Sequence, residues 1–100
     1  MINISGLLHV DKGNTIKLMC NASGTTAPPG RMQWFKDGIE VQASGRILVR
    51  EKFSVVSRTI TSWLDITRSE LEDKGTYTCR ASDLQVTSVD VNVLNGKNRT

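Results

Sequence analysis

Asp73-Lys74-Gly75-Thr76-Tyr77-Thr78-Cys79 is a turn that feeds a strand. Asp73 and Gly75 are turn formers. After them Tyr77, Cys79 and Ala81 alternate with Thr78, Arg80 and Ser82. A period of two belongs to a strand with one face on a core and the other in water. The same alternation stands upstream as Ile16, Leu18 and Cys20, and Trp34 lies between the two cysteines.

Working outward, 100 residues is the size of one domain. There is no internal repeat, no low-complexity run, and no apolar stretch near the ~20 residues of a membrane helix. Ile2 is followed by Asn3 and Ser5, with no basic start and no long apolar run, so the N-terminus does not read as a signal peptide. Residues 1–95 are expected to form the domain. Residues 96–100, polar and linker-like, are expected to be a tail joining it to a longer parent chain, with Met1 a start added for expression.

The chemistry of most enzyme classes is missing from the pattern. His9 is a lone histidine, and it and two distant cysteines lack zinc-ligand spacing. No Gly-rich phosphate loop opens a helix, and no acidic run has calcium-ligand spacing. The expectation is no enzyme, no metal and no cofactor. The net charge is +3, and its densest zone is Arg46, Arg50, Lys52 and Arg58. The plain reading of that zone is a solvated face. The sharper one is a patch for heparan sulfate or another polyanion. Nucleic acid is not expected, because no groove-reading motif accompanies the charge.

Cys, then Trp, then Asp-x-Gly-x-Tyr-x-Cys resembles the immunoglobulin superfamily, and the whole chain fits that pattern. The resemblance implies an all-β, two-sheet antiparallel Greek-key sandwich with a Cys20–Cys79 bridge between the sheets and Trp34 packed on it. It also implies that Tyr77 opens strand F and caps a corner by bonding back to backbone, and that Arg46 pairs with Asp73 in a charge-assisted bond at one end of the sandwich. Trp34-Phe35-Lys36-Asp37-Gly38 is similar to the intermediate set of these domains, common in adhesion molecules and receptors. A bridge closing a loop of about 60 residues constrains the unfolded chain by about 4 kcal/mol and implies an oxidising compartment. The competing reading is two buried thiols, as in the intracellular immunoglobulin domains of muscle. Three sequons, at Asn3, Asn21 and Asn98, favour the extracellular side.

In chain order, Ile2 and Ile4 begin a first strand, and Leu7 to Val10 continue it after a shift near Gly6. Asp11 to Asn14 is a turn, and Asn21 to Arg31 is a loop, whose end a glycan on Asn21 would crowd. Met32 and Trp34 point inward, and Phe35 outward beside Arg80. Ile39 and Val41 make a short strand, and Arg46 to Val49 the next. Ser54 to Ile66 is a strand with its hairpin, putting Ile60, Leu64 and Ile66 in the core and Trp63 on the outer face. Leu71 pins the following turn to the core. Val89, Val91 and Val93 face inward on the last strand.

Such a scaffold offers flat faces and end loops, so its function is recognition through surfaces. The expected partner is a protein ligand or co-receptor, or a second copy of the chain. The candidate partner surface is either the sheet face bearing Phe35 and Arg80 or the face bearing Trp63, since aromatic and arginine side chains dominate interface energetics. The expected place is the cell surface or the extracellular space, with any membrane contact made only through the parent chain. The alternatives are a spacer in a multi-domain array and a heparan-sulfate-binding module.

Overall fold

The computed structural model describes residues 1–24 and 29–96. The sequon at Asn98 and most of the expected tail lie outside the described residues. Among the described residues nine strands follow one another: β1 (Ile2–Gly6), β2 (His9–Asp11), β3 (Ile16–Ser23), β4 (Met32–Lys36), β5 (Ile39–Glu40), β6 (Ile47–Ser54), β7 (Thr59–Ile66), β8 (Gly75–Ala81) and β9 (Val86–Leu94). They form a four-stranded sheet ordered β1-β3-β7-β6 and a five-stranded sheet ordered β2-β9-β8-β4-β5. Neighbours are antiparallel except β2 and β9, which run parallel.

The alternation in the sequence is what closes the sandwich. Ile16, Leu18, Cys20 and Ala22 of β3 and Ile60, Ser62, Leu64 and Ile66 of β7 all turn inward and are buried. From the facing sheet come Met32, Trp34, Tyr77, Cys79, Ala81, Val91 and Val93. The Cys20–Cys79 disulfide ties the two layers together at mid-height. Trp34, only 2% exposed, lies directly opposite Cys79 in the β4–β8 register. A buried indole N–H needs an acceptor, and Trp34 Nε1 donates to Ser62 Oγ at 2.8 Å.

Four expectations are adjusted. The shift expected near Gly6 takes place at that glycine and is a change of sheet. The Gly6 Cα pairs with Leu18 at φ +146°, and a Cβ there would stand 2.3 Å from the Lys17 carbonyl oxygen. The chain leaves the first sheet at this glycine, passes through exposed Leu7 and Leu8, and resumes as β2 on the second sheet. Next, β3 runs on to Ser23, so Asn21 is a strand residue rather than a loop residue. The alternation continues through Ala22, whose small side chain carries a weak inward signal. Third, β6 extends to Ser54, twice the length of the expected Arg46 to Val49 element, because its backbone pairs with β7 across the charged Arg50-Glu51-Lys52 run. Last, Leu71 is 40% exposed and does not pin its turn. The buried residues there are Ser69 and Asp73, held by hydrogen bonds rather than apolar packing.

Candidate recognition surfaces

The lower end of the sandwich is closed by charge. Asp73 ends a single 3₁₀ turn, Leu71–Asp73, and is 8% exposed. Its Oδ2 lies 3.1 Å from Arg46 Nη1 and accepts from the Glu70 amide at 2.7 Å. Arg46 Nη1 also donates to the Thr67 and Arg68 carbonyls. Burial raises the Asp73 pKa, but the Arg46 bond and the Glu70 amide outweigh it and leave the carboxyl below its usual range. The bond to Asp73 in turn raises the Arg46 pKa. Tyr77 is fully buried, and its hydroxyl donates to the Asp73 carbonyl. Burial, and then the nearby Asp73 charge, push the phenol well above its ordinary pKa. Arg46 and Tyr77 are thus both bonded to Asp73, in a structural role.

The outer face of the five-stranded sheet carries Gln33 and Phe35 from β4, Glu40 from β5, Thr76, Thr78 and Arg80 from β8, and Val86, Ser88 and Asp90 from β9. The β4–β8 and β8–β9 registers set these neighbours. The Arg80 guanidinium stacks over the Phe35 ring, 4.9 Å from its centroid, a geometry that favours a cation over an aromatic face. Arg80 Nη2 donates to Gln33 Oε1 at 2.7 Å, and Gln33 Nε2 reaches Glu40 Oε2 at 3.3 Å. Val86 stands opposite Arg80 and is 56% exposed. On the lower flank, hydroxyl bonds Thr78–Ser88 and Thr76–Asp90 form a polar ladder. This face thus presents a pre-ordered aromatic, a cation and an exposed aliphatic beside polar groups. The hairpin above it has no glycine, and Leu84 instead adopts φ +73° at the exposed tip.

Trp63 lies on the opposite face, half-buried in a row Ser5–Met19–Trp63–Arg50 across the four-stranded sheet. The Arg50 guanidinium covers its ring at 5.2 Å. Phe35 and Trp63 are therefore on opposite sides of the molecule and cannot serve one flat contact. The basic zone divides as well. Arg46 is engaged at the lower end, and Arg50 and Lys52 project from the outer face of β6. Arg58 sits at φ +56° in the turn at the upper end. The four do not converge on one patch, because β6 separates Arg46 from Arg58 by its whole length.

Asn3 and Asn21 are directly opposite each other on the Trp63 face. An open groove at the lower end is lined by His9, Asp37, Lys74, Thr76, Asp90 and Asn92. Among the described residues no group of three or more His, Cys, Asp or Glu is placed to hold a metal ion. Sequence reasoning missed Ser62, Val86 and the Gln33–Glu40 support under Arg80. The parity of β7 could have found Ser62. Val86 needed the β8–β9 register, which depends on a turn that lacks the usual glycine.

The immunoglobulin domain family matches residues 2–83 of this chain. The immunoglobulin domain-containing protein oig-1 of Caenorhabditis elegans is 33% identical over 73 residues, covering 73% of this chain and 50% of that protein. The human MAM domain-containing glycosylphosphatidylinositol anchor protein 2 is 30% identical over 89 residues, 85% of this chain and 9% of that protein. Titin of Drosophila melanogaster is 34% identical over 71 residues, 71% of this chain and, to the nearest per cent, 0% of that protein. The chain thus spans half or less of the length of these relatives. A chain of the crystal structure of Dpr2 Ig1-Ig2 in complex with DIP-Theta Ig1-Ig3 superposes with a TM-score of 0.81 at 24% identity, over 94% of this chain and 49% of that one. The N-terminal eight Ig domains of Down Syndrome Cell Adhesion Molecule give a TM-score of 0.77 at 25% identity, over 95% of this chain and 14% of that one. With its disulfide-tied two-sheet sandwich and its match over most of its length, this chain belongs to the immunoglobulin domain family.

Proposed function

We propose that this domain is an extracellular module for protein–protein recognition and that its contact face is the outer surface of the five-stranded sheet. The observation that carries the reading is Phe35 held under Arg80, with Val86 exposed beside them. An aromatic already fixed by its neighbours loses little side-chain entropy on binding, and aromatic and arginine groups at the centre of a face are the usual anchors of affinity. The Dpr2 structure contains a protein partner, and a relative is named for a membrane anchor. These support a protein ligand and a cell-surface setting. The disulfide and the sequons favour the same compartment.

The test is a binding screen of the domain against surface ectodomains, with itself included by sedimentation. Phe35→Ser and Val86→Lys, each checked for an unchanged melting curve, should weaken the contact found by about tenfold or more, equivalent to about 1.4 kcal/mol. If both bind as the parent does while Trp63→Ser weakens the contact, the recognition face is the other sheet.

A further inference from the structure

We propose that, of the two sequons on the four-stranded sheet, Asn3 carries an N-linked glycan and Asn21 does not, and that this glycan roofs the Trp63 face. The inference rests on the extracellular reading above.

Both sequons are intact in sequence, Asn3-Ile4-Ser5 and Asn21-Ala22-Ser23. Their settings differ. Asn3 is exposed on β1, which has a neighbour on one side only. Asn21 is half-buried on β3, flanked by β1 and β7, and its Nδ2 donates to Thr61 Oγ1 at 2.7 Å. Nδ2 is the atom that glycosylation uses. A polyprenyl-diphosphate-linked oligosaccharide supplies the sugar. The Nδ2–C1 bond forms, the C1–O bond to the diphosphate breaks, and the amide gives up one proton to a base. At Asn21 the incoming sugar would displace Thr61 and push against β1 and β7. At Asn3 it extends into solvent.

The two sites also exclude each other. Asn3 and Asn21 are Cα partners across the β1–β3 ladder, and side chains so paired begin about 5 Å apart. That spacing does not hold two branched oligosaccharides. The same register carries Asn3, Met19, Asn21, Thr61 and Trp63 on one surface. Two strand spacings across and two residues along put Trp63 roughly 12 Å from Asn3, within the span of the first few sugars. A glycan there covers the Met19–Trp63 row and leaves the Phe35 face on the far side bare.

The chain is secreted from cultured cells behind a cleavable signal sequence, in an Asn98→Gln background, so that every copy meets the glycosylation machinery whatever its natural compartment. Intact mass is read before and after peptide-N-glycosidase. One glycan is expected on the parent and on Asn21→Gln, and none on Asn3→Gln or on Ser5→Ala, which destroys the sequon without touching the asparagine. Any glycan on Asn3→Gln, loss of the glycan in Asn21→Gln, or two glycans or none on the parent overturns the proposal. The shield is read separately. Trp34 is buried, so acrylamide quenching reports mainly Trp63. The glycosylated chain should show a lower quenching constant than its enzymatically deglycosylated form, and equal constants overturn the covering. None of these outcomes bears on whether the Phe35 face binds a partner, which the screen above decides alone.

Discussion

Ser62 shows how much one side chain can decide. It shares its parity with Ile60, Leu64 and Ile66, and it is fully buried with the Trp34 indole donating to it. A serine in an apolar row reads as a blemish in sequence. In the folded chain it is the acceptor that lets a tryptophan lie against the disulfide with no buried polar group unmet. Ser62→Ala should cost about 1–3 kcal/mol by denaturant unfolding, since it strands the indole N–H. In a Trp34→Phe background the same change should cost much less, because no donor is left wanting. Equal costs in both backgrounds would remove the bond from the account. The cysteines, Trp34 and Tyr77 were legible because their spacing is rigid. Ser62 was not, because its partner lies 28 residues away on the other sheet.

At the scale of elements, the turn from Ser69 to Gly75 joins β7 to β8 and is held by a set of polar bonds. Asp73 accepts from Arg46 and from the Glu70 amide, and its carbonyl accepts from Tyr77. The folded pKa of Asp73 is lowered, so its contribution is fully present above the ordinary carboxylate value, about 3.9, and is lost as pH falls through the folded value. The folded pKa of Tyr77 is raised, so its contribution is intact below about pH 10 and is lost as pH rises beyond that. Stability measured against pH should therefore fall at both extremes. Arg46→Ala should lower stability at pH 7 by about 2 kcal/mol, between the surface and buried limits for such pairs, and should flatten the acid limb. An acid limb as steep in Arg46→Ala as in the parent would contradict this. The Arg46–Asp73 pairing was read from resemblance to a family. The reach of β3, the length of β6 and the sheet change at Gly6 were not legible, since each depends on backbone pairing that side-chain alternation does not report.

Across the whole molecule, the Cys20–Cys79 bridge closes a loop with a sequence separation of 59, so it removes much of the freedom of the unfolded chain. Reduction under native conditions should lower the unfolding free energy by about 4 kcal/mol on the loop-entropy estimate, read from the urea midpoint together with a steeper slope, because the reduced unfolded chain is more open. A shift under about 1 kcal/mol would mean that packing around Trp34, rather than the covalent link, holds the layers together. The sheet pairing was legible from the two cysteines. The separation of Phe35 from Trp63 followed from parity, while the scattering of the basic residues emerged only once β6 had its full length.

The parallel pairing of β2 with β9 also bears on mechanics. The chain enters at the end where the Ser23 amide donates to the Met1 carbonyl, and β9 finishes at the other end, where the Lys12 amide donates to Leu94. Tension along the long axis would drag these two strands past each other lengthwise, so the bonds between them resist together instead of unzipping one by one. The sulfur link then keeps everything between Cys20 and Cys79 from extending, and a stretched string of such beads would lengthen only by the segments before Cys20 and after Cys79.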